Sequence, residues 1–213
     1  MTRLLIAGAT GLVGRHALTQ ALADLRIAQV IAPSRRALPP HPRLENPQVD
    51  FDALPEHADW WRVDAVVCAL GTTIRQAGSR DGFRRVDVDY VLAIARYARN
   101  AGARSFALNS SLGAGPAARG FYLRCKGEAE RGVAALGYPS LTLVRPSIIG
   151  GEREQRRPLE HLSMRVLRTV APLVPKRYRV AEANVVAAAL LQAVLVPQPG
   201  CRTIESDALQ PLD

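Results

Sequence analysis

Long hydrophobic runs are missing from this sequence: none reaches the roughly eighteen residues that a membrane-spanning helix needs. The first residues also lack the charged and apolar regions of a secretory signal peptide, because Leu4 to Ile6 form a run of strand length. The chain has 213 residues and is 48% hydrophobic, which is enough to bury a substantial core. We therefore expect one soluble domain over residues 1–213, with no membrane span.

Cysteine is scarce and odd in number, which argues against two further classes of protein. The three cysteines, Cys68, Cys125 and Cys201, are too few and too widely spaced for a disulfide scaffold. None of them has partners at the spacing of a zinc site, so we expect no metal. A reducing cytoplasm is the compartment that this cysteine usage favours.

Aromatic residues and lysines are also few, although the net charge is +9. Of the 28 basic residues only Lys126 and Lys176 are lysines, and the arginines are scattered along the whole chain. Scattered arginines do not form a binding stripe. The two Trp, four Phe and five Tyr do not alternate with them as a base-stacking surface would require. The composition therefore predicts no nucleic-acid binding.

Lys126 stands four residues after Tyr122, and this pair is the most informative chemistry in the sequence. Side chains at i and i+4 lie on one face of a helix, so the phenol and the ammonium can reach one substrate together. The ammonium can bind a ribose, and its charge helps the phenol to give up a proton near neutral pH. The alternative is a half-buried helix tyrosine beside a solvated lysine.

The amino terminus predicts a strand, a glycine turn and a helix. An apolar run, Arg3–Ala7, precedes Gly8, Gly11 and Gly14, and an amphipathic stretch begins at Leu12. In a dinucleotide-binding turn the first glycine permits the bend, the second lets the backbone approach a pyrophosphate, and the third allows close helix packing. The helix start then offers N–H groups and a positive dipole to the phosphates. Glycines can also serve only as turn formers, but in this context we predict cofactor binding by Gly8, Thr10, Gly11, Leu12, Val13 and Gly14.

An acidic residue is missing after the second predicted strand, Ile27–Ala32. In NAD-binding proteins an Asp or Glu about twenty positions beyond the glycines binds the ribose 2′-hydroxyl. This chain has Ser34, Arg35 and Arg36 there instead. Guanidinium groups form paired hydrogen bonds to phosphate oxygens, so the sequence favours the 2′-phosphate of NADP(H). The alternative is a solvated basic turn.

Apolar and helical segments alternate through the rest of the chain. Apolar runs at residues 65–70, 105–108 and 141–144 alternate with helical patterns at about 82–100 and 122–136. Strands that are apolar throughout, alternating with helices, predict a parallel sheet covered on both faces. The predicted fold class is α/β, a single-domain, doubly wound parallel sheet of the Rossmann type.

From about Arg3 to Val196 the chain resembles the short-chain dehydrogenase/reductase superfamily. Besides the glycine turn and the Tyr-x-x-x-Lys pair, the resemblance rests on Ser110-Ser111-Leu112-Gly113-Ala114 and on Arg145-Pro146-Ser147, each after a predicted strand. More narrowly, the chain resembles the atypical branch that includes the Tat-interacting oxidoreductase-like proteins. Four segments carry this resemblance: Val49-Asp50-Phe51, Cys68-Ala69-Leu70-Gly71-Thr72-Thr73, Phe83-Arg84-Arg85-Val86-Asp87 and Lys126-Gly127-Glu128.

The resemblance implies roles for individual residues. Ser111, rather than Ser110, would polarise a substrate carbonyl. Tyr122 would give or take its proton, and Lys126 would hold the nicotinamide ribose. Hydride transfer to a carbonyl develops an alkoxide, which serine and tyrosine hydroxyls can stabilise. Alternatively, the serines and threonines are turn formers and Asp50 is an exposed strand terminus. Asp50 would otherwise meet the adenine amino group, and the other implied cofactor contacts are Phe51, Leu70, Gly71, Thr72, Thr73, Lys126, Pro146 and Ser147.

Two departures from the superfamily pattern bear on the mechanism and the substrate. Asp87 stands where extended members look to have an asparagine, which puts a proton relay through that asparagine in doubt. The chain is also much shorter than extended members, and residues 147–180 are the predicted helical lid. There the apolar stripe Leu159, Leu162, Val166 and Leu167 suits a helix over the nicotinamide, or core packing.

Three functions follow from these interpretations. The first is an NADPH-dependent oxidoreductase that transfers hydride to a small carbonyl or related electrophile. The second is an NADPH-binding regulatory or scaffold protein with little turnover. The third is an epimerase or dehydratase acting on a sugar nucleotide, against which the missing substrate domain speaks. For the first we expect a small-molecule substrate and a monomer or a homodimer paired through the helices near residues 82–100 and 122–136.

Overall fold

The computed structural model describes residues 1–150 and 175–209. Seven parallel strands form one sheet in the order β3-β2-β1-β4-β5-β6-β9, and a second sheet pairs β7 with β8. This is the predicted doubly wound sheet, and the prediction of fold class is confirmed. The strands are β1 (Thr2–Ala7), β2 (Ile27–Ile31), β3 (Leu44–Glu45), β4 (Ala65–Cys68), β5 (Ser105–Asn109), β6 (Ser140–Arg145), β7 (Ile149–Gly150), β8 (Ala181–Glu182) and β9 (Gly200–Glu205).

Helices cover both faces of the large sheet. They are α1 (Leu12–Ala23), α2 (Ile74–Ala77), α3 (Arg80–Arg84), a π-helix (Arg85–Asp89), α4 (Tyr90–Asn100), α5 (Phe121–Ala135) and α6 (Ala183–Leu195). Short 3₁₀ turns lie at Phe51–Ala53, Asp59–Trp61, Lys176–Tyr178 and Ser206–Leu209. No helix in the described ranges is long and apolar enough to cross a membrane.

The strands are buried on both faces, which explains their continuous apolar runs. In β1, Leu4 and Ile6 pack on the side of α1 and α6, whereas Leu5 packs on the side of α4 and α5. All three side chains are fully buried. Burial of each stabilises the fold by about 1.5–3 kcal/mol relative to exposure, so the two faces form two cores that hold the sheet rigid.

The sequence-predicted helix at about 82–100 is divided into three elements, and this is a correction. Residues 80–84 form α3, residues 85–89 form a π-helix, and α4 begins at Tyr90. A π-turn forms i→i+5 hydrogen bonds and rotates the side chains that follow it, and such turns are frequent at functional sites. The apolar spacing of the sequence gave no sign of it. Gly102 and Gly137, which follow the ends of α4 and α5, adopt positive φ.

The carboxyl edge of the sheet is where a site can form. The connection after β1 leads to β2 on one side, and the loop after β4 leads toward β5 on the other, which leaves a crevice between the ends of β1 and β4. Parallel α/β sheets bind ligands at this switch point. The glycine turn follows β1 there, and the loop that begins at Ala69 follows β4.

Part of the predicted lid, residues 151–174, lies outside the described residues, as does its apolar stripe. The segments on either side are described. Strand β7 pairs with β8 in parallel, so residue 149 lies beside residue 181. The main chain on both sides of the lid is therefore joined by hydrogen bonds.

Candidate nucleotide and catalytic site

The glycine turn is as tight as its sequence predicts. Gly8 has a φ of +84°, and a Cβ there would lie 2.7 Å from the carbonyl carbon of Ala69 in the loop after β4. A Cβ at Gly14 would lie 2.0 Å from the Gly8 carbonyl oxygen. The Gly11 N–H donates to that same oxygen at 2.9 Å. No side chain fits at Gly8 or Gly14, so this turn presents bare backbone to the crevice.

The amino end of α1 offers main-chain donors to an anion. Gly11 is its N-cap residue, the cap has no side-chain hydrogen bond, and the first turn contains no acidic residue. The early N–H groups of a helix have no intrahelical partner, and the dipole is positive there. Val13 is buried, whereas Thr10 is exposed and Leu12 is half-buried. The turn and the helix end together fit the pyrophosphate of a dinucleotide.

The basic turn after β2 divides into a structural residue and two exposed ones. The Ser34 hydroxyl donates to the Arg36 carbonyl at 2.6 Å and accepts from Asn46 Nδ2 at 2.8 Å, and Ser34 is buried. This hydroxyl therefore fixes the turn. Arg35 and Arg36 are exposed, as phosphate contacts must be. Asn46 was not predicted, because its role depends on a contact twelve positions away in the sequence.

Asp50 and Phe51 lie at the entrance to a short 3₁₀ turn. The Asp50 carboxylate accepts the Asp52 N–H at 2.9 Å and caps that turn. The Phe51 ring packs against Tyr90 with centroids 5.6 Å apart. Burial, followed by the hydrogen bond to Asp52, raises the pKa of Tyr90 to about 12. The predicted adenine contacts thus belong to a packed surface that joins the loop after β3 to α4.

Lys126 is buried and not solvated, which is against the alternative interpretation of the Tyr-Lys pair. Its residue exposure is 5%, and its Nζ lies 2.8 Å from Asp87 Oδ1. Tyr122, one turn earlier on α5, is 40% exposed, and the ammonium lies 6.0 Å from the centroid of its ring. The Phe83 ring packs against Tyr122 at 5.7 Å. A half-exposed phenol and a buried ammonium therefore share one face of α5.

The charge of Lys126 is maintained by its neighbours. Burial alone would lower the pKa of Lys126, but the attraction of the Asp87 carboxylate, with smaller contributions from Tyr122 and the hydrogen bond to Asp87, raises the pKa above its usual value. Lys126 is consequently a cation at neutral pH. An ammonium has three N–H donors, so two remain besides the one that meets Asp87.

The loop after β4 is fixed to the same carboxylate. The Thr72 N–H donates to Asp87 Oδ2 at 2.9 Å. A Cβ at Gly71 would lie 3.5 Å from Asp87 Oδ1 and 3.7 Å from Lys126 Nζ. The Thr73 hydroxyl accepts from the Gln76 N–H and caps α2. Leu70 is half-buried at the start of this loop, which places the predicted residues 70–73 beside the Asp87–Lys126 pair.

Ser111 follows β5 and is held close to the end of β6. The Ser110 N–H donates to the Val144 carbonyl at 2.7 Å, and the Leu112 N–H donates to the Pro146 carbonyl at 2.8 Å. Ser111 Oγ makes a long hydrogen bond of 3.5 Å to the Leu112 carbonyl. Ser110 Oγ is fully buried and has no hydrogen-bond partner within the described part of the chain. Both serines are buried, with 3% of Ser110 and 9% of Ser111 exposed.

Close packing brings the loop after Ser111 onto α5. The Gly115 N–H donates to the Leu123 carbonyl at 3.2 Å. A Cβ at Gly127 would lie 2.4 Å from the backbone of Gly115. Gly127 follows Lys126 directly, so this contact fixes the helix turn that carries the ammonium. The Lys126-Gly127 dipeptide was the sequence signal for this contact. Its partner, Gly115, is twelve positions away and could not be identified from the sequence.

The Arg145-Pro146-Ser147 turn is largely structural. Arg145 meets Glu130 through two hydrogen bonds, at 2.9 and 2.6 Å, and Glu205 through a third at 3.2 Å. Pro146 is buried. The Ser147 N–H donates to Ser206 Oγ at 3.1 Å, and its hydroxyl donates to the Arg179 carbonyl. Within residues 1–150 and 175–209 there is no cluster of three potential metal ligands.

Comparison with known proteins places this arrangement in a family. A family described as NAD(P)H-binding matches residues 8–192. Protein HTATIP2 from Rattus norvegicus is 35% identical over 205 residues, which cover 94% of this chain and 83% of that protein. The protein named "Protein fmp52, mitochondrial" from Emericella nidulans is 34% identical over 170 residues, which cover 75% of this chain and 72% of that protein.

Solved structures share the fold at lower identity. MoeE5 in complex with UDP-glucuronic acid and NAD is similar with a TM-score of 0.74 and 20% identity, over 96% of this chain and 76% of its own. A UDP-glucose 4-epimerase from Thermotoga maritima is similar with a TM-score of 0.70 and 14% identity, over 96% of this chain and 77% of its own. The chain belongs to the NAD(P)H-binding family, as an atypical member of the short-chain dehydrogenase/reductase superfamily related to HTATIP2.

Proposed function

We propose that this protein is an NADPH-dependent oxidoreductase that reduces a small carbonyl compound or a related electrophile, with Ser111, Tyr122 and Lys126 as its catalytic residues. The observation that carries the proposal is the buried Lys126 ammonium, held 2.8 Å from Asp87, one helical turn from the half-exposed Tyr122. A buried cation beside an accessible phenol needs a reason, because removing an ammonium from water is unfavourable. Proton transfer to a substrate at the mouth of the crevice is such a reason.

The cofactor would be held by backbone at one end and by arginines at the other. Gly8, Gly11 and the first turn of α1 are suited to the pyrophosphate, and Gly71 leaves space beside the ion pair. The exposed Arg35 and Arg36 are suited to a 2′-phosphate, which is why we favour NADPH over NADH. When bound, the nicotinamide supplies the hydride.

The chain's own residues would manage the proton and the developing charge. The Tyr122 hydroxyl donates a proton to the oxygen that becomes an alcohol, and the Ser111 hydroxyl donates a hydrogen bond to the same oxygen. Lys126 keeps one N–H on Asp87 and directs the others toward Tyr122 and the ribose. Each donor is fixed before the reaction, Lys126 by its ion pair and Ser111 by the backbone bonds on either side of it.

The first test is a calorimetric titration of the purified protein with NADPH and, separately, with NADH. We expect NADPH to bind at least about tenfold more tightly, a difference of about 1.4 kcal/mol. Arg35→Ala combined with Arg36→Ala should remove this preference, while Arg62→Ala, a change at another exposed arginine, should not. Equal losses of NADPH and NADH affinity in the double variant would contradict the assignment of the 2′-phosphate to these arginines.

The second test concerns turnover. Tyr122→Phe should reduce NADPH consumption with a panel of small aldehydes and ketones by about 10²–10⁴-fold and leave NADPH affinity nearly unchanged, because only a proton donor is lost. Tyr97→Phe on α4 is the matched control. Tight NADPH binding without consumption under any condition would favour the regulatory function. A cofactor that stays bound and is regenerated with a sugar nucleotide would favour the epimerase.

The proposal extends to the organisation of the chain. Residues 1–213 form one cofactor-binding domain, and residues 147–180 contribute the cover over the nicotinamide end. Support comes from the described ends of that segment, where the Ser147 hydroxyl donates to the Arg179 carbonyl. The cytoplasm is the proposed compartment, in keeping with three free thiols, although the relative from Emericella nidulans is named as mitochondrial.

A further inference from the structure

We propose that Asp87 is a positioning residue of this site. Its carboxylate fixes Lys126 and cancels the ammonium charge, and it thereby keeps the Tyr122–Lys126 pair fully protonated to higher pH. The inference rests on the proposed function and adds the direction of the reaction. Asp87 maintains the Tyr122–Lys126 pair in the state that donates a proton, which is the state that carbonyl reduction needs.

The carboxylate of Asp87 is fixed from two sides. Oδ1 lies 2.8 Å from Lys126 Nζ, and Oδ2 accepts the Thr72 N–H at 2.9 Å. The side chain of Asp87 is fully buried, and that of Lys126 is 6% exposed. Asp87 stands in the middle of the π-helix, Arg85–Asp89, which turns its side chain inward to α5 and the loop after β4. One carboxylate therefore joins three elements of the candidate site.

Two thiols and a phenol lie near the Asp87–Lys126 pair. Cys68, at the end of β4, is a buried thiol, and burial raises its pKa to about 11. Burial also raises the pKa of Cys125, which lies on α5 beside Lys126. Tyr122 contributes its phenol from the same helix. Cys125 also lies within reach of the charges of Glu128, Arg84 and Arg124. The charged group that contacts the Lys126 ammonium is Asp87, so Asp87 balances that charge.

The sign of the effect follows from this balance. An asparagine at position 87 would keep an oxygen for the Thr72 N–H but would remove one negative charge. Removing a negative charge beside a phenol and an ammonium lowers the pH at which the pair loses its first proton, whichever of the two gives it up. Asp87 therefore extends the protonated, donating state of the Tyr122–Lys126 pair to more alkaline pH.

The test compares Asp87→Asn with Asp89→Asn. Asp89 ends the same π-helix, is exposed and pairs with Arg84, so this control removes a carboxylate from the same element without entering the site. The tyrosinate absorbance due to Tyr122 is obtained by subtracting the titration of the same protein carrying Tyr122→Phe. In parallel, the pH dependence of NADPH-dependent aldehyde reduction is measured for each variant.

We expect Asp87→Asn to move the alkaline limb of turnover, or the appearance of the Tyr122 tyrosinate, to lower pH by about one unit, a tenfold change in proton concentration. Asp89→Asn should leave both where they are in the original protein. A loss of activity with no change in either pH profile would mean that Asp87 only supports the fold, and the inference would be wrong. A shift to higher pH would also overturn it.

A double variant covers the case in which Asp87→Asn does not fold. Asp87→Asn with Lys126→Gln replaces the ion pair by two neutral groups of similar size, which a buried site tolerates better than one unpaired charge. If Asp87 cancels the charge of Lys126, Tyr122 should titrate within about half a unit of its position in the original protein. A tyrosinate that appears more than one unit higher in the double variant would contradict cancellation.

The two proposals fail separately. Turnover whose pH profile is unaffected by Asp87→Asn, with no tyrosinate shift, would reject the role of Asp87 and retain the oxidoreductase. A tyrosinate shift in a protein that binds NADPH but never consumes it would reject the oxidoreductase and retain the charge balance.

Discussion

Two of the ion pairs that involve α5, Arg145–Glu130 and Lys126–Asp87, differ in what they leave available for a ligand. Arg145 meets Glu130 through two parallel hydrogen bonds and reaches Glu205 with a third. Lys126 meets Asp87 through a single contact of 2.8 Å, and its side chain is almost completely buried. The guanidinium is occupied by protein on most sides, whereas the ammonium retains donors for a ligand. The first pair holds β6, β9 and α5 together, and the second lies beside Tyr122, the proposed proton donor.

Their response to pH should differ for the same reason. The hydrogen bonds to Glu130, which outweigh burial, raise the pKa of Arg145, so this pair stays charged across the whole accessible range. Lys126 can lose its proton at high pH. A lysine is therefore the choice where charge and proton exchange matter, and an arginine where only a permanent link is needed.

Among the changes that test the comparison between the two ion pairs, Lys126→Arg should have the largest effect. The guanidinium is bulkier than the ammonium and forms fixed forked bonds, so it would satisfy Asp87 but displace the donors near Tyr122. We expect at least a hundredfold loss of NADPH-dependent turnover, about 2.7 kcal/mol in transition-state stabilisation. Lys176→Arg serves as the control, since it is the other lysine of the chain and is exposed. Turnover within threefold of the original would show that the ammonium is not used.

Gly127→Ala should sharpen the comparison between the two ion pairs, because it disturbs only the helix turn that carries Lys126. The added Cβ would meet the Gly115 backbone at 2.4 Å, and backbone cannot move aside without shifting the helix or the loop. We expect the free energy of unfolding to fall by about 1–3 kcal/mol, with reduced turnover. Urea denaturation measures the first quantity.

Gly132→Ala, on the same helix, is its matched control. The added Cβ there meets the end of the Leu92 side chain at 2.5 Å, which can change rotamer. We expect a change in unfolding free energy below about 1 kcal/mol. A greater loss at Gly132 than at Gly127 would contradict the close contact between α5 and the loop after Ser111.

Arg145→Lys makes the reverse exchange, from arginine to lysine, in the Arg145–Glu130 pair. A lysine keeps the charge but loses the paired geometry to Glu130 and the reach to Glu205. Arg145 is 24% exposed, so water would compensate part of the loss. We expect about 1 kcal/mol of destabilisation in urea denaturation and little change in the kcat of NADPH consumption. A loss of kcat comparable to that of Lys126→Arg would assign Arg145 to the reaction as well.

The smallest expected effect is the contribution of Lys126 to stability at alkaline pH. The pKa of Lys126 is raised in the folded protein, so its contribution is complete below the unfolded value of about 10.4 and is lost as pH rises through the folded value. The stability difference between the original protein and the Asp87→Asn, Lys126→Gln double variant should therefore change only above about pH 10. Chemical denaturation at pH 8 and pH 11 measures it, and a change centred near pH 7 would contradict the assignment.

Much of the fold was predictable because it depends on local patterns. Continuous apolar strands and helical periodicity are properties of short segments, and they gave the sheet and the ends of α4 and α5. The proposed catalytic part of the site depends on contacts between distant segments. Asp87 was recognised as a departure, but its bond to Lys126 could not be read from spacing, because the π-helix that rotates it leaves no apolar signature. Ser34 was predicted to bind cofactor, and its hydroxyl holds the turn with Asn46, a residue that no motif marked.

The parallel pairing of β7 and β8 has a consequence for how such a protein can acquire new substrates. The two strands hold two points of the chain together, with residue 149 beside residue 181. Once two points are fixed together, doubling the length of chain between them costs only about 0.6 kcal/mol in closure entropy. Added length between these strands therefore carries a small entropic cost, and an engineer who wishes to graft a different substrate-binding segment would insert it there.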